Sequence, residues 1–160
     1  MYNNGILWLR VEESGMFVGQ SQHTLDDKLR IVLPAKMRNQ LSTTVYLSFD
    51  LDHCIAIYAE NDYQVKATEM SKLDDFNPEA RAVKRVFFSN SFETTVDKQG
   101  RISIPKFLLT KASINKDVVI VGSYDRIQIF SREAFETELK EDETNYESLA
   151  SKVNSLKYGK

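Results

Sequence analysis

An internal repeat constrains this chain more than any other feature. The run Thr24-Leu25-Asp26-Asp27-Lys28-Leu29-Arg30-Ile31-Val32-Leu33-Pro34 returns as Thr95-Val96-Asp97-Lys98-Gln99-Gly100-Arg101-Ile102-Ser103-Ile104-Pro105. Thr, Asp, Arg, Ile and Pro recur at one offset, and two further positions match as apolar. Phe17 and Phe88 fall in the same register. With one inserted residue, Ile55-Ala56-Ile57-Tyr58 then matches Ile127-Gln128-Ile129-Phe130, and Tyr63 matches Phe135. Self-similarity of this kind marks one supersecondary unit used twice. The chain therefore reads as a tandem duplication with a pseudo-twofold, and each half is too small for a good core of its own.

Both units follow one plan. A strand ends near Thr-Leu-Asp or Thr-Val-Asp, a tight turn follows, and Arg-Ile-x-(Leu/Ile) alternates with period two as a second strand. Asp97-Lys98-Gln99-Gly100 has Asp at the first position and Gly at the fourth, the pattern of a type I turn closed by a left-handed residue. Pro34 and Pro105 sit where a short helix starts, because Pro lacks only an N–H that the first turn leaves unbonded. Further strands are expected over 45–49, 54–58, 118–121 and 126–130, and a helix over 60–73. Another runs from 132 toward 156, interrupted by Asp142 and breakable over 142–145. Asn77-Pro78 caps a helix with Arg81, Lys84 and Arg85 on one face and Ala82, Val83, Val86 and Phe87 on the other. Residues 16–76 and 87–137 are then the two repeats, 77–86 a connecting helix and 138–160 a helical tail. The fold class is mainly β (α+β). Such short strands favour a closed or interlocked β structure over an open sheet with bare edges.

No segment approaches the ~20 apolar residues needed to span a bilayer. Ile6-Leu7-Trp8-Leu9 is broken by Arg10 and followed by Glu12 and Glu13, a poor export signal, so the cytoplasm is the expected compartment. Cys54 is the one cysteine, which rules out an intrachain disulfide. The net charge of −2 is unevenly spread. Acid gathers over 50–75 and 133–147, and base at Lys28, Arg30, Lys36 and Arg38, at Arg81, Lys84 and Arg85, and at Lys98, Arg101, Lys106 and Lys111. A fold that separates these groups offers nucleic acid a positive face despite the acidic sum.

The runs Met16-Phe17-Val18-Gly19, His23-Thr24-Leu25-Asp26, Arg30 and Leu33-Pro34-Ala35-Lys36 resemble the opening of MraZ proteins. Arg85-Val86-Phe87-Phe88-Ser89, Asp97-Lys98-Gln99-Gly100-Arg101 and Ile104-Pro105 resemble the second half of that family. The resemblance covers nearly everything after residue 15, and two tandem Asp-x-x-x-Arg motifs make it specific. It implies a swapped-hairpin β-barrel of the AbrB kind from two repeats with flanking helices, assembled into ring-like homo-oligomers. It also implies a regulator, usually a repressor, that binds G-rich direct repeats of double-stranded DNA upstream of division and cell-wall genes, and so a nucleoid association. The motifs implied to bind DNA are Asp26 with Arg30 and Asp97 with Arg101, with Lys28 and Lys98 between them.

Chemistry divides these roles. Arg matches the O6 and N7 acceptors of guanine, and Lys neutralises phosphate, so Arg30 and Arg101 are candidates for bases and Lys28 and Lys98 for the backbone. Asp26 and Asp97 orient the arginines, and Gly100, Pro34 and Pro105 shape the turns. The alternative is that each Asp–Arg pair only braces its turn. The family usually has Gly or Asn before the motif Arg, whereas the first repeat has Leu29, so its turn is expected to differ in shape or to be strained. If strained, Leu29→Gly should stabilise by about 1 kcal/mol. The Arg81, Lys84 and Arg85 stripe reads as a solvated face or an intersubunit partner for acid.

His23, His53 and Cys54 lack metal-site spacing, and adjacent His53 and Cys54 on a strand face opposite ways. No metal or cofactor is expected, and no nucleotide-binding loop or nucleophile-elbow motif suggests an enzyme. Two other readings are an antitoxin-like protein that binds its operator and neutralises a protein partner, and a scaffolding ring. Residues 1–15 are expected to lie outside the fold, with Met16 as the natural start.

Overall fold

The computed structural model describes residues 16–157. The expectation for residues 1–15 falls outside that range. In chain order, the first repeat forms β1 (Gln20–Thr24), β2 (Arg30–Val32), α1 (Ala35–Arg38), β3 (Thr44–Asp50), a 3-10 turn (Leu51–His53), β4 (Cys54–Ala59) and α2 (Glu60–Ser71). Next come α3 (Pro78–Ser89), β5 (Phe92–Thr95), β6 (Arg101–Ser103), α4 (Lys106–Lys111), β7 (Asp117–Gly122) and β8 (Ile127–Ser131). Two C-terminal helices follow, α5 (Arg132–Thr144) and α6 (Tyr146–Lys157), separated at Asn145. Asn77 caps α3 by accepting from the Glu79 and Ala80 N–H groups, and the helix runs three residues beyond the expected 77–86.

The repeats do not fold side by side. Six strands form one antiparallel sheet in the order β1-β7-β8-β4-β3-β5, and β2 pairs with β6 in a separate two-stranded ribbon. The first strand of each repeat thus lies in the sheet beside a strand of the other. Thr24 stands opposite Asp117, and Thr95 opposite Thr44. The bonds obey the same pseudo-twofold: Leu33 N–H donates to Gly100 and Ile104 N–H donates to Leu29, both at 3.0 Å.

Of the expected closed or interlocked forms the strand exchange gives the interlocked one, and among the described residues the hydrogen-bonded strands do not close into a barrel. β2 and β6 have three residues each and end against Pro34 and Pro105, so their ladders cannot run on into the sheet. The ribbon reaches the sheet through side chains instead. Ile31, Leu33, Ile102 and Ile104 point inward and pack with Leu47, Ile55, Ile57, Ile120, Ile127 and Ile129 in one core. On the other face of the sheet, Tyr63 of α2 stacks on Tyr46 at 4.4 Å and on Phe87 of α3 at 5.8 Å. Phe135 of α5 meets Phe130 at 4.9 Å, as Tyr63 meets Tyr58 at 6.0 Å. β4 is buried on both faces because helices cover one side and the ribbon side covers the other.

Candidate nucleic-acid interface

The ribbon brings the two Asp-x-x-x-Arg motifs together. Its register centres on Ile31 opposite Ile102, with Arg30 opposite Ser103 and Arg101 opposite Val32. Side chains alternate along a strand, so burial of Ile31 and Ile102 turns Arg30, Val32, Arg101 and Ser103 outward on one face. The two arginines are diagonal neighbours, with Cα atoms about 7–8 Å apart.

Each turn is built in the same way. Asp26 Oδ1 accepts from the Lys28 and Arg30 N–H groups at 2.9 Å, and its Oδ2 accepts from Arg30 Nε at 2.8 Å. Asp97 Oδ1 accepts from the Gln99 N–H at 2.9 Å and the Arg101 N–H at 2.8 Å, and Oδ2 from Arg101 Nε at 2.8 Å. The N–H of each motif Arg is the first-ranking reason why its aspartate carboxyl lies below the ordinary range, against some desolvation; the guanidinium adds to it. Both carboxylates therefore stay charged, and each bonds its turn and its arginine. The aspartate engages Nε in both motifs and so leaves the terminal amino groups, the face that grips a planar acceptor pair, although Arg101 Nη2 also bonds within its turn. Lys28 and Lys98 are exposed at the turns.

Leu29 adopts φ 60° and Gly100 φ 78°, so the first turn keeps the geometry of the second despite its side chain. The expected difference in shape is not found. Leu29 is half-buried against the core, a contact that a glycine cannot make. Pro34 and Pro105 stand immediately before α1 and α4, at φ −56° and −58°.

The turns differ in charge and support. Superposing the repeats sets Asp27 against Lys98 and Lys28 against Gln99, so the second turn is the more positive. Arg38 of α1 also reaches that turn, donating from Nη1 to the Gln99 carbonyl at 3.0 Å. Gln99 Oε1 accepts from Arg101 Nη2 at 3.1 Å. Sequence reasoning counted Arg38 only within a basic cluster and passed over Gln99. The one local hint was Gly100, whose missing Cβ leaves the space that the Arg38 side chain fills.

The remaining polar groups lie elsewhere. Arg81 and Lys84 are tied to Asp75 within the chain, through its carbonyl at 2.8 Å and its carboxylate at 2.6 Å. His23 bonds Ser21, and His53 stacks near Phe49. Cys54 is buried, and burial, with Asp50 and Asp52 adding, pushes its thiol up to about 12. Among the described residues no cluster of three or more His, Cys, Asp or Glu side chains is placed to hold a metal ion. No described helix is long and apolar enough to cross a membrane.

A family model described as "MraZ protein, putative antitoxin-like" matches the chain twice, over residues 16–86 and 87–155. A Clostridium tetani protein named transcriptional regulator MraZ is 40% identical over 141 residues, covering 88% of this chain and 99% of the relative. Proteins of the same name from Natranaerobius thermophilus and Ligilactobacillus salivarius are 37% and 38% identical, covering 86% and 84% of this chain and 96% and 94% of their own. Two matches to one family model, each spanning one Asp-x-x-x-Arg motif, and relatives aligned almost end to end make this chain a member of the MraZ family.

Proposed function

We propose that this protein is a sequence-specific DNA-binding regulator of transcription that reads double-stranded DNA with the β2–β6 ribbon. The observation that carries this reading is the pairing of Arg30 and Arg101 on one outward face, each braced through Nε by its own aspartate. A two-stranded ribbon fits the major groove, and Arg is the strongest reader of guanine there. Arg30 and Arg101 take base edges, and Lys28 and Lys98 take phosphates. The reciprocal strand exchange fits a swapped-hairpin barrel of the AbrB kind, its ribbon packed against the sheet rather than bonded into it. The relatives' names support a regulator of transcription, and the resemblance alone implies a repressor of the division and cell-wall operon that acts at G-rich direct repeats.

The regulator works as a ring-like homo-oligomer in this reading. Tyr146, Leu149, Val153 and Leu156 form an exposed apolar stripe on α6, among acids of α5 and α6. Val83 and Val86 are half-exposed on α3 beside Arg81 and Arg85. The two helices offer each other apolar surface, and the acid of the adjoining α5 complements the base of α3, so the α5–α6 tail of one copy suits α3 of the next. A contact between different patches is heterologous and closes into a ring when its rotation permits. A mobility shift comparing a duplex of G-rich direct repeats with a scrambled duplex tests the function. Preferential retardation of the repeats is expected, and equal affinity for both duplexes would overturn it.

A further inference from the structure

Gly100 is buried in its turn at φ 78°, and the volume a Cβ would need there is filled by the Arg38 side chain. Arg38 belongs to the first repeat and lies 61 residues from the Gln99 carbonyl it holds. Gln99 joins three bonds in one residue. Its carbonyl accepts from Arg38, its N–H donates to the Asp97 brace, and its side-chain oxygen accepts from the Arg101 guanidinium. The pseudo-twofold sets Leu109 in place of Arg38, Leu29 in place of Gly100 and Lys28 in place of Gln99. Leu109 and Leu29 both join the apolar core, and the Lys28 side chain has no acceptor to offer a guanidinium.

We propose that Arg38 is a positioning residue for Arg101: it fixes the Gln99 peptide, and Gln99 in turn fixes the Arg101 terminal amino group. This rests on the reading of the ribbon as the DNA-binding element. The two motifs are then unequal. Arg101 meets its base already ordered from two sides, whereas among the described residues the Arg30 guanidinium is held by Asp26 alone. Order present before binding is not lost on binding, so base discrimination is sharper where Arg101 docks.

The test uses the full chain, a duplex of G-rich direct repeats and a scrambled duplex, titrated over a range of salt, with oligomer size checked on a sizing column. Arg38→Met keeps the aliphatic stem but removes the donor and the charge. It is expected to lower the preference for the repeats by roughly 2- to 12-fold per bound subunit, with the salt slope unchanged. Arg38→Lys, which keeps one donor, restores part of the loss. Gln99→Leu produces a loss like that of Arg38→Met, and the double variant loses no more than the worse single one, because both act through one link. Weakening of both duplexes alike with a flatter salt slope makes Arg38 a phosphate contact and overturns the proposal. So does additivity in the double variant, or a preference unchanged by either substitution. If Arg38→Met melts below the assay temperature, Gln99→Leu alone decides: an unchanged preference refutes the link. A wild-type protein that does not prefer the repeats refutes the ribbon reading itself, which the Arg38 variants cannot do.

Discussion

Leu29 tests the backbone account most sharply, because its two roles oppose each other. At φ 60° a leucine pays about 1–2 kcal/mol relative to right-handed backbone, and glycine relieves this. Glycine also adds unfolded-chain freedom worth about 0.5–1 kcal/mol. Strain relief alone would therefore leave Leu29→Gly stabilising by roughly 1 kcal/mol. The side chain is half-buried against the core, however, and losing part of a leucine's burial costs about 1.5 kcal/mol. The net effect becomes a destabilisation of about 0.5–1 kcal/mol, the reverse of what the turn alone implies. Leu29→Ala loses almost the same burial and keeps the strain, so it should cost about 1.5 kcal/mol. At roughly 2–4 °C per kcal/mol for a chain of this size, calorimetry should rank wild type above Gly and Gly above Ala, with drops of about 2 and 4 °C. Ala more stable than Gly would mean that no left-handed strain exists at this position. Gly more stable than wild type would mean that the leucine packing contributes nothing.

Other expectations concern charge and burial. Asp50→Ala removes the partner of Arg126 at 2.9 Å, in a pair whose side chains are 11% and 19% exposed, and should destabilise by about 2 kcal/mol, since Asp125 still holds the guanidinium; a melting temperature within 1 °C of wild type, read against roughly 4–8 °C expected, would discount the pair. The lowered carboxyls of Asp26 and Asp97 contribute stability above the ordinary value of 3.8 that is lost as the pH falls through their folded values. The acid arm of the stability profile should accordingly flatten in an Asp26→Asn, Asp97→Asn double variant, and an arm of unchanged steepness would contradict the brace. Cys54, with its thiol pushed to about 12 and its side chain buried, should resist iodoacetamide at pH 8 until the protein unfolds; rapid labelling of the native protein would show that strand β4 opens.

The repeat made much of this molecule legible before its structure. Two matched runs located the turns, the short helices after Pro34 and Pro105, and the strands beside them. Asp142 interrupting an apolar stripe signalled the break that falls at Asn145. Strand partners were hidden, because alternation tells which face of β1 is buried and says nothing of whether β3 or β7 lies beside it. Whether the strands close or only interlock was hidden for a related reason: three-residue strands ending in proline pack against a sheet without bonding to it. At the site, Asp-x-x-x-Arg named the braced pairs, since Asp accepts from N–H groups two and four residues on. Arg38 could not be read, because it joins the second motif only through the exchange of strands between repeats. Leu29 was read as a conflict over backbone shape, whereas the fold keeps the shape and repays part of the strain by packing.

Binding of the Arg101→Ala variant to a duplex of G-rich direct repeats tests the central claim most directly, measured against a scrambled duplex and paired with oligomer size. Removing a bidentate Arg–guanine contact costs roughly 1–3 kcal/mol per site, and subunits acting together on successive repeats multiply the loss. Near-complete loss of preference for the repeats is therefore predicted, with the elution volume unchanged. An Arg101→Ala protein that stays assembled and still prefers its repeats would contradict the ribbon as the reader, and one that falls into smaller species would show that Arg101 braces the fold rather than reading DNA.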